Sequence, residues 1–146
     1  MPDEPQVFQY RGDRELVARL KRDSDLIESI TQLAGEEAIY TASFTGIGAL
    51  KRARLGYYDQ GTHEYREISI NSPHEIASCI GNVSLKNGQP FVHAHVVLAD
   101  EGGNTRAGHL LEGIVFAAEV HLRALEGARL ERAYDEATGL SLWEVE

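Results

Sequence analysis

The chain has 146 residues, with 14 Lys and Arg against 23 Asp and Glu, a formal charge of −9 with its six His neutral. Apolar residues make up 42% and charged residues 25%, the balance of a folded domain and not of a disordered chain. That charge argues against generic binding to a phosphate backbone, which needs clustered Lys and Arg.

The opening stretch, MPDEPQVFQYRGD, is acidic and has no apolar core, so no secretory signal is expected. No apolar run approaches the roughly 20 residues that cross a bilayer. Cys79 stands alone, which excludes an intrachain disulfide and suits a reducing, cytoplasmic setting. Neither repeats nor linkers divide the chain, so one domain spanning 1–146 is expected.

In chain order, Val7–Tyr10 reads as a short strand. Leu16, Ala18 and Leu20 alternate, which predicts a second. Asp25 and Glu28 form a capping-box pair, and Leu26, Ile27, Ile30, Leu33 and Ala34 supply a helical apolar stripe with Gly35 as its stop. Beyond this helix the texture is β. Strands are predicted at 38–44, 50–58, 64–70, 76–85 and 91–98, with Thr45-Gly46-Ile47-Gly48 as a break between the first two. Residues 109–125 read as one or two strands, interrupted at Gly113, and 140–145 as a closing strand. The fold class is α+β, a mainly antiparallel sheet with one principal helix near the N-terminus.

Chemistry concentrates in Phe91-Val92-His93-Ala94-His95-Val96-Val97-Leu98. Side chains alternate along a strand, so Val92, Ala94, Val96 and Leu98 face the core while His93 and His95 share the other face. Residues two apart on a strand stand about 6.6 Å apart, close enough for two imidazoles to converge on one ion. His109 follows Gly108 after the Gly-rich tract 102–108, which returns it to the same strand if the chain reverses there. Three His around one ion leave a fourth position open, as in catalytic or ligand-accepting sites. Nitrogen ligands suit Zn²⁺, Ni²⁺, Cu²⁺ or Fe²⁺. The alternative is that these imidazoles are ordinary hydrogen-bonded polar residues. Tract 100–108 is either a hairpin connection or a flap over the His site.

The other motifs carry less. His63 falls in a turn and His74 at the start of a strand. His121 shares a face with Glu119 and Arg123, so a Glu119–His121 contact is expected at the surface. Glu75, Glu112 and Glu119 are the carboxylates considered for a general base, and Glu119 also for orienting a ligating His. Gly46-Ile47-Gly48 lacks the third Gly of a dinucleotide fingerprint, since position 51 is Lys51. Lys51-Arg52-Ala53-Arg54 is the one basic cluster, more in keeping with a solvated face than with nucleic-acid contact. Ser43, Ser69 and Ser78 have no nucleophile-elbow context. Cys79 and Trp143 are expected to pack.

An ordered set of segments resembles the plants-and-prokaryotes-conserved domain family. It runs through Asp25-Leu26, Thr45-Gly46-Ile47-Gly48-Ala49-Leu50, Leu55-Gly56-Tyr57-Tyr58-Asp59, Glu75-Ile76 and Gly81-Asn82-Val83. It continues through His93-Ala94-His95-Val96, Gly108-His109-Leu110 and Ala118-Glu119-Val120. The resemblance implies an α+β fold assembled as a homotrimer. It also implies a metal site at His93, His95 and His109, zinc foremost, with a small-molecule ligand at the metal. In plants the domain follows AT-hooks in nuclear DNA-binding proteins, so the family also implies a link to DNA. This chain has no Arg-Gly-Arg-Pro hook and an acidic N-terminus, so it lacks the residues that make minor-groove contacts. Whether the domain is an enzyme is left open.

Overall fold

The computed structural model describes residues 4–145. The elements are β1 (Arg11–Leu20), α1 (Leu26–Glu36), β2 (Ala42–Asp59), β3 (Glu64–Ile70), β4 (His74–Lys86), β5 (Gln89–Ala99), β6 (Thr105–Glu126), β7 (Leu130–Asp135) and β8 (Leu140–Val145). The protein is thus mostly β with one short helix. Strand order is β3-β2-β6-β5-β4-β7-β8, with β1 added along β6 and β2 also paired to β4. The pairs β2–β6, β6–β5, β5–β4 and β4–β2 therefore close on themselves, which leaves these strands no open edge around the core. Every pairing is antiparallel except the single parallel pair Leu85–Glu131.

Helix α1 starts where its capping residue predicts. Asp25 is extended, and its carboxylate accepts the Glu28 N–H at 3.0 Å. The other Asp25 oxygen accepts the Gly113 N–H at 2.8 Å, which fastens the helix start to β6. Leu26, Ile30 and Ala34 are fully buried against the sheet. Gly35 is not the stop; the helix continues to Glu36, and Ala38 takes the left-handed conformation just beyond it (φ 53°).

Four strand expectations change. Residues 7–10 form no strand: the ladder with β6 ends at the Arg11–Glu126 pair, so the chain before Arg11 has no strand to join. Thr45–Gly48 does not break the chain. It is an irregularity inside one 18-residue strand, with the register to β4 shifting between Gly46 and Gly48. Gly48 (φ 138°) is irreplaceable there, because a Cβ would stand 2.1 Å from the Ala117 carbonyl oxygen. Residues 105–126 form one continuous strand, and Gly113 lets Leu50 pack closely instead of interrupting it. Finally, β7 lies in a segment whose sequence predicted no strand.

The core is the set of alternating positions facing inward from the closed strands. Val92, Ala94, Val96 and Leu98 of β5 are buried there, as their period of two predicts, together with Val83, Leu55, Leu110, Val115 and Leu122. Cys79 is buried among them, and burial pushes its thiol up to about 11, which makes it a packing residue. Gly81 admits the Phe44 ring against β5; a Cβ would lie 2.5 Å from Phe44 Cζ and 2.3 Å from the His93 carbonyl oxygen.

Candidate metal centre

Hairpin register assembles the site. Between β5 and β6 the chain turns at 100–104. The Asp100 carboxylate accepts N–H groups of Gly102 and Asn104, each at 2.9 Å, and Gly103 supplies a positive φ of 81°. This compact turn makes 100–104 a hairpin connection and not a flap. It sets Ala99 opposite Thr105 and, further down the ladder, His95 directly opposite His109. His93 sits one strand repeat away on the same face of β5. The other hairpin, β4–β5, turns on Asn87-Gly88, both with positive φ, and places Asn82 opposite His93 and Ile80 opposite His95.

The three rings converge. His93 Nε2 and His95 Nε2 are 3.2 Å apart. One ring nitrogen from each of His93, His95 and His109 lies within 4.8 Å of the others. Two nitrogens bound to one ion at 2.0–2.1 Å with tetrahedral angles stand about 3.3 Å apart, so this spacing suits a common ligand. His109 Nδ1 is buried and has no hydrogen-bond partner among the described residues, the condition of a ring nitrogen free to act as a ligand. The residues present therefore fit a metal ion. They fit a nitrogen-preferring transition ion better than Ca²⁺ or Mg²⁺, since no carboxylate joins the cluster.

The environment favours neutral imidazole, the form that ligates. Burial lowers the His93 pKa to about 4, helped by the neighbouring His109, Arg132 and His95. Burial and His95 also lower that of His109. One wall is aromatic: the Tyr65 ring of β3 lies 5.3 Å from His109, and Tyr58 of β2 lies 5.0 Å from Tyr65. The other wall comes from the β7–β8 hairpin. Arg132 donates to Ser84 Oγ, Asn82 Oδ1 and the Ser141 carbonyl, each at 3.0 Å, and lies over the Phe91 and Trp143 rings. The Trp143 indole donates to the same Ser84 hydroxyl at 3.1 Å, while the residue stays 38% exposed.

The remaining sequence candidates sit elsewhere. Glu119 pairs with Ile47 and Arg19 on the distal half of β6, too far along the strand to orient a ligating His. Its expected contact with His121 is also absent; His121 Nε2 lies 2.8 Å from Glu15 Oε1, which Arg123 approaches as well. Glu112 is held near Arg54 at 3.8 Å, and Glu75 opposes Ala99 beside the β5–β6 turn. His74 is buried with its Nδ1 2.9 Å from the Ser72 carbonyl, and His63 stacks on Tyr58 in the β2–β3 turn. Two members of the basic cluster have carboxylate partners: Lys51 pairs with Asp23, and Arg54 with Glu67. Ser84, Tyr65 and Arg132 were not singled out in the sequence, and Asn82 only as part of the Gly81-Asn82-Val83 segment of the family resemblance. Leu130–Asp135 shows no period-two pattern, so nothing local marks the strand that delivers Arg132.

Comparisons with known proteins find relatives of the same fold. A metal-containing protein of Archaeoglobus fulgidus is similar at 41% identity over 95% of this chain and 99% of that one, with a TM-score of 0.92. A plant- and prokaryote-conserved protein of Pyrococcus horikoshii is similar at 41% identity over 95% and 96%, with a TM-score of 0.91. The bifunctional protein GlmU of Synechococcus sp. (strain JA-2-3B'a(2-13)) is 30% identical over 142 residues. That match covers 94% of this chain, which spans only 21% of the length of that curated relative. Residues 8–126 match the Plants and Prokaryotes Conserved (PCC) domain, with the three clustered His inside the match, and the chain belongs to that family.

Proposed function

We propose that this chain is a metal-binding protein whose His93, His95 and His109 hold one divalent transition ion, Zn²⁺ foremost, with the remaining position open to a small molecule. The observation that carries the reading is the convergence of three imidazoles with no carboxylate or thiol among them. The similar protein of Archaeoglobus fulgidus is described as metal-containing, which supports it. An ion held there would supply Lewis acidity toward an oxygen-bearing ligand. Around it, Tyr65 narrows one side and Arg132 brings positive charge to the other.

Assembly as a homotrimer is part of the same proposal. Val17 (83% exposed), Ile47 (61%), Ile80 (58%) and Phe116 (51%) leave apolar surface outside the core for subunits to cover. Ile80 opposes His95, so such contacts would reach the metal centre.

Native mass spectrometry of untagged protein, purified without chelator, tests both parts. Three chains and one ion per chain are expected. A His93→Ala/His95→Ala variant is expected to fold and lose the ion. A folded variant that keeps a full complement of metal contradicts the site. Nucleic acid is not expected to bind, because Lys51 and Arg54 already have carboxylate partners and the chain carries −9. A shift of duplex DNA at micromolar protein and near-physiological salt would reverse that reading.

A further inference from the structure

Arg132 is a charged, half-buried side chain with no carboxylate within 4.0 Å among the described residues. Its three hydrogen bonds all go to neutral acceptors, Ser84 Oγ, Asn82 Oδ1 and the Ser141 carbonyl. A guanidinium has five N–H groups, so two remain unused. Aromatic groups flank it: the charge lies 5.5 Å from the Phe91 ring and 5.4 Å from the Trp143 ring, and Trp143 shares the Ser84 hydroxyl.

This cation borders the His cluster. Asn82, which accepts from Arg132, is the cross-strand partner of His93. Phe91, over which Arg132 lies, precedes His93 by one repeat on the same face of β5. Among the described residues the His cluster contains no carboxylate, so an ion there would add more positive charge to that of Arg132. A partly buried cation with spare donors beside a metal position is a half-made anion site.

We propose that Arg132 binds the carboxylate of a small organic acid whose other oxygen reaches the metal position. This inference rests on the metal-site reading above and extends it to the class of ligand. Arg132 lies beyond the 8–126 match, so the family likeness does not supply this role. The alternative is that Arg132 only pins the β7–β8 hairpin to β4 and β5. A zinc ion alone already favours an anion over its neutral isostere, so the deciding readout is whether that preference falls when Arg132 is changed.

The test is calorimetric titration of zinc-loaded protein with malonate and with its neutral counterpart malonamide, metal content being measured on the same samples. Wild type is expected to prefer malonate. Arg132→Gln is expected to keep its zinc, lose about 10–100-fold in malonate affinity and leave malonamide unchanged. Arg132→Lys, which keeps the charge without the fork, is expected to fall between the two. It becomes the deciding variant if Arg132→Gln does not fold. The inference is overturned if zinc-loaded wild type fails to favour malonate. It is also overturned if a folded Arg132 variant with full zinc binds malonate as wild type does, or loses malonate and malonamide equally. A wild type that takes up no zinc refutes the metal reading itself, and the anion inference with it.

Discussion

Strand β6 carries a His at each end of its pairing, and the two live differently. His109, opposite His95, is half-buried beside two imidazoles and the Tyr65 ring, with a buried nitrogen that has no partner among the described residues. His121, opposite Val17 and Thr45, is exposed and shares Glu15 with Arg123. One strand and one residue type thus give a ligand-like imidazole and a surface ion-pair partner. The partner strands decide. At the first end β5 contributes two more His; at the second, β1 contributes a carboxylate.

Removing rings breaks this contrast most directly. His109→Ala is expected to abolish stoichiometric metal, measured by plasma mass spectrometry, while His121→Ala leaves the metal content unchanged. The next effect is in the shared scaffold. Ile30 is fully buried where α1 packs on the sheet, and Ile30→Ala is expected to cost about 2–5 kcal/mol in denaturant unfolding. That variant should keep its metal while folded, because α1 contributes no ring to the cluster.

A third effect is a pH window. The His93 pKa of about 4 in the fold lies below the unfolded 6.5, so the folded state favours neutral imidazole. Its contribution to stability is fully present above pH 6.5 and is lost as pH falls toward 4. Thermal melts of metal-free protein should decline across that interval, and His93→Ala should flatten the decline. Metal release should begin below the ordinary imidazole range for the same reason. The smallest effect is at the distal end, where His121→Ala should leave the melting temperature unchanged within error, since an exposed pair is well screened.

What the sequence made legible follows from which physics acts locally. The α1 cap at Asp25, the period-two burial of Val92–Leu98 and the shared face of His93 and His95 are all written within a few residues. The return of His109 was foreshadowed by the Gly-rich turn, although the opposition to His95 depends on the register that Asp100 sets. Long-range closure was not legible. Nothing near Thr45–Gly48 announces that β2 passes through a bulge to pair with both β4 and β6. Nor does the polar segment of β7, which lacks a period of two, announce that it delivers Arg132 to Asn82 and Ser84. The expected Glu119–His121 contact failed for a related reason: they share a strand face, but Glu15 arrives from β1 at closer range.

On the proposed reading, three imidazoles from two strands hold one ion. X-ray absorption spectroscopy of zinc-loaded protein tests it most directly. One zinc per chain is expected, with a shell of nitrogen and oxygen at about 2.0–2.1 Å. The outer-shell scattering of three imidazoles is expected with it, reduced to two in His109→Ala protein reloaded at high zinc. A spectrum with fewer than three imidazoles in the wild type, or one that His109→Ala leaves unchanged, would contradict it.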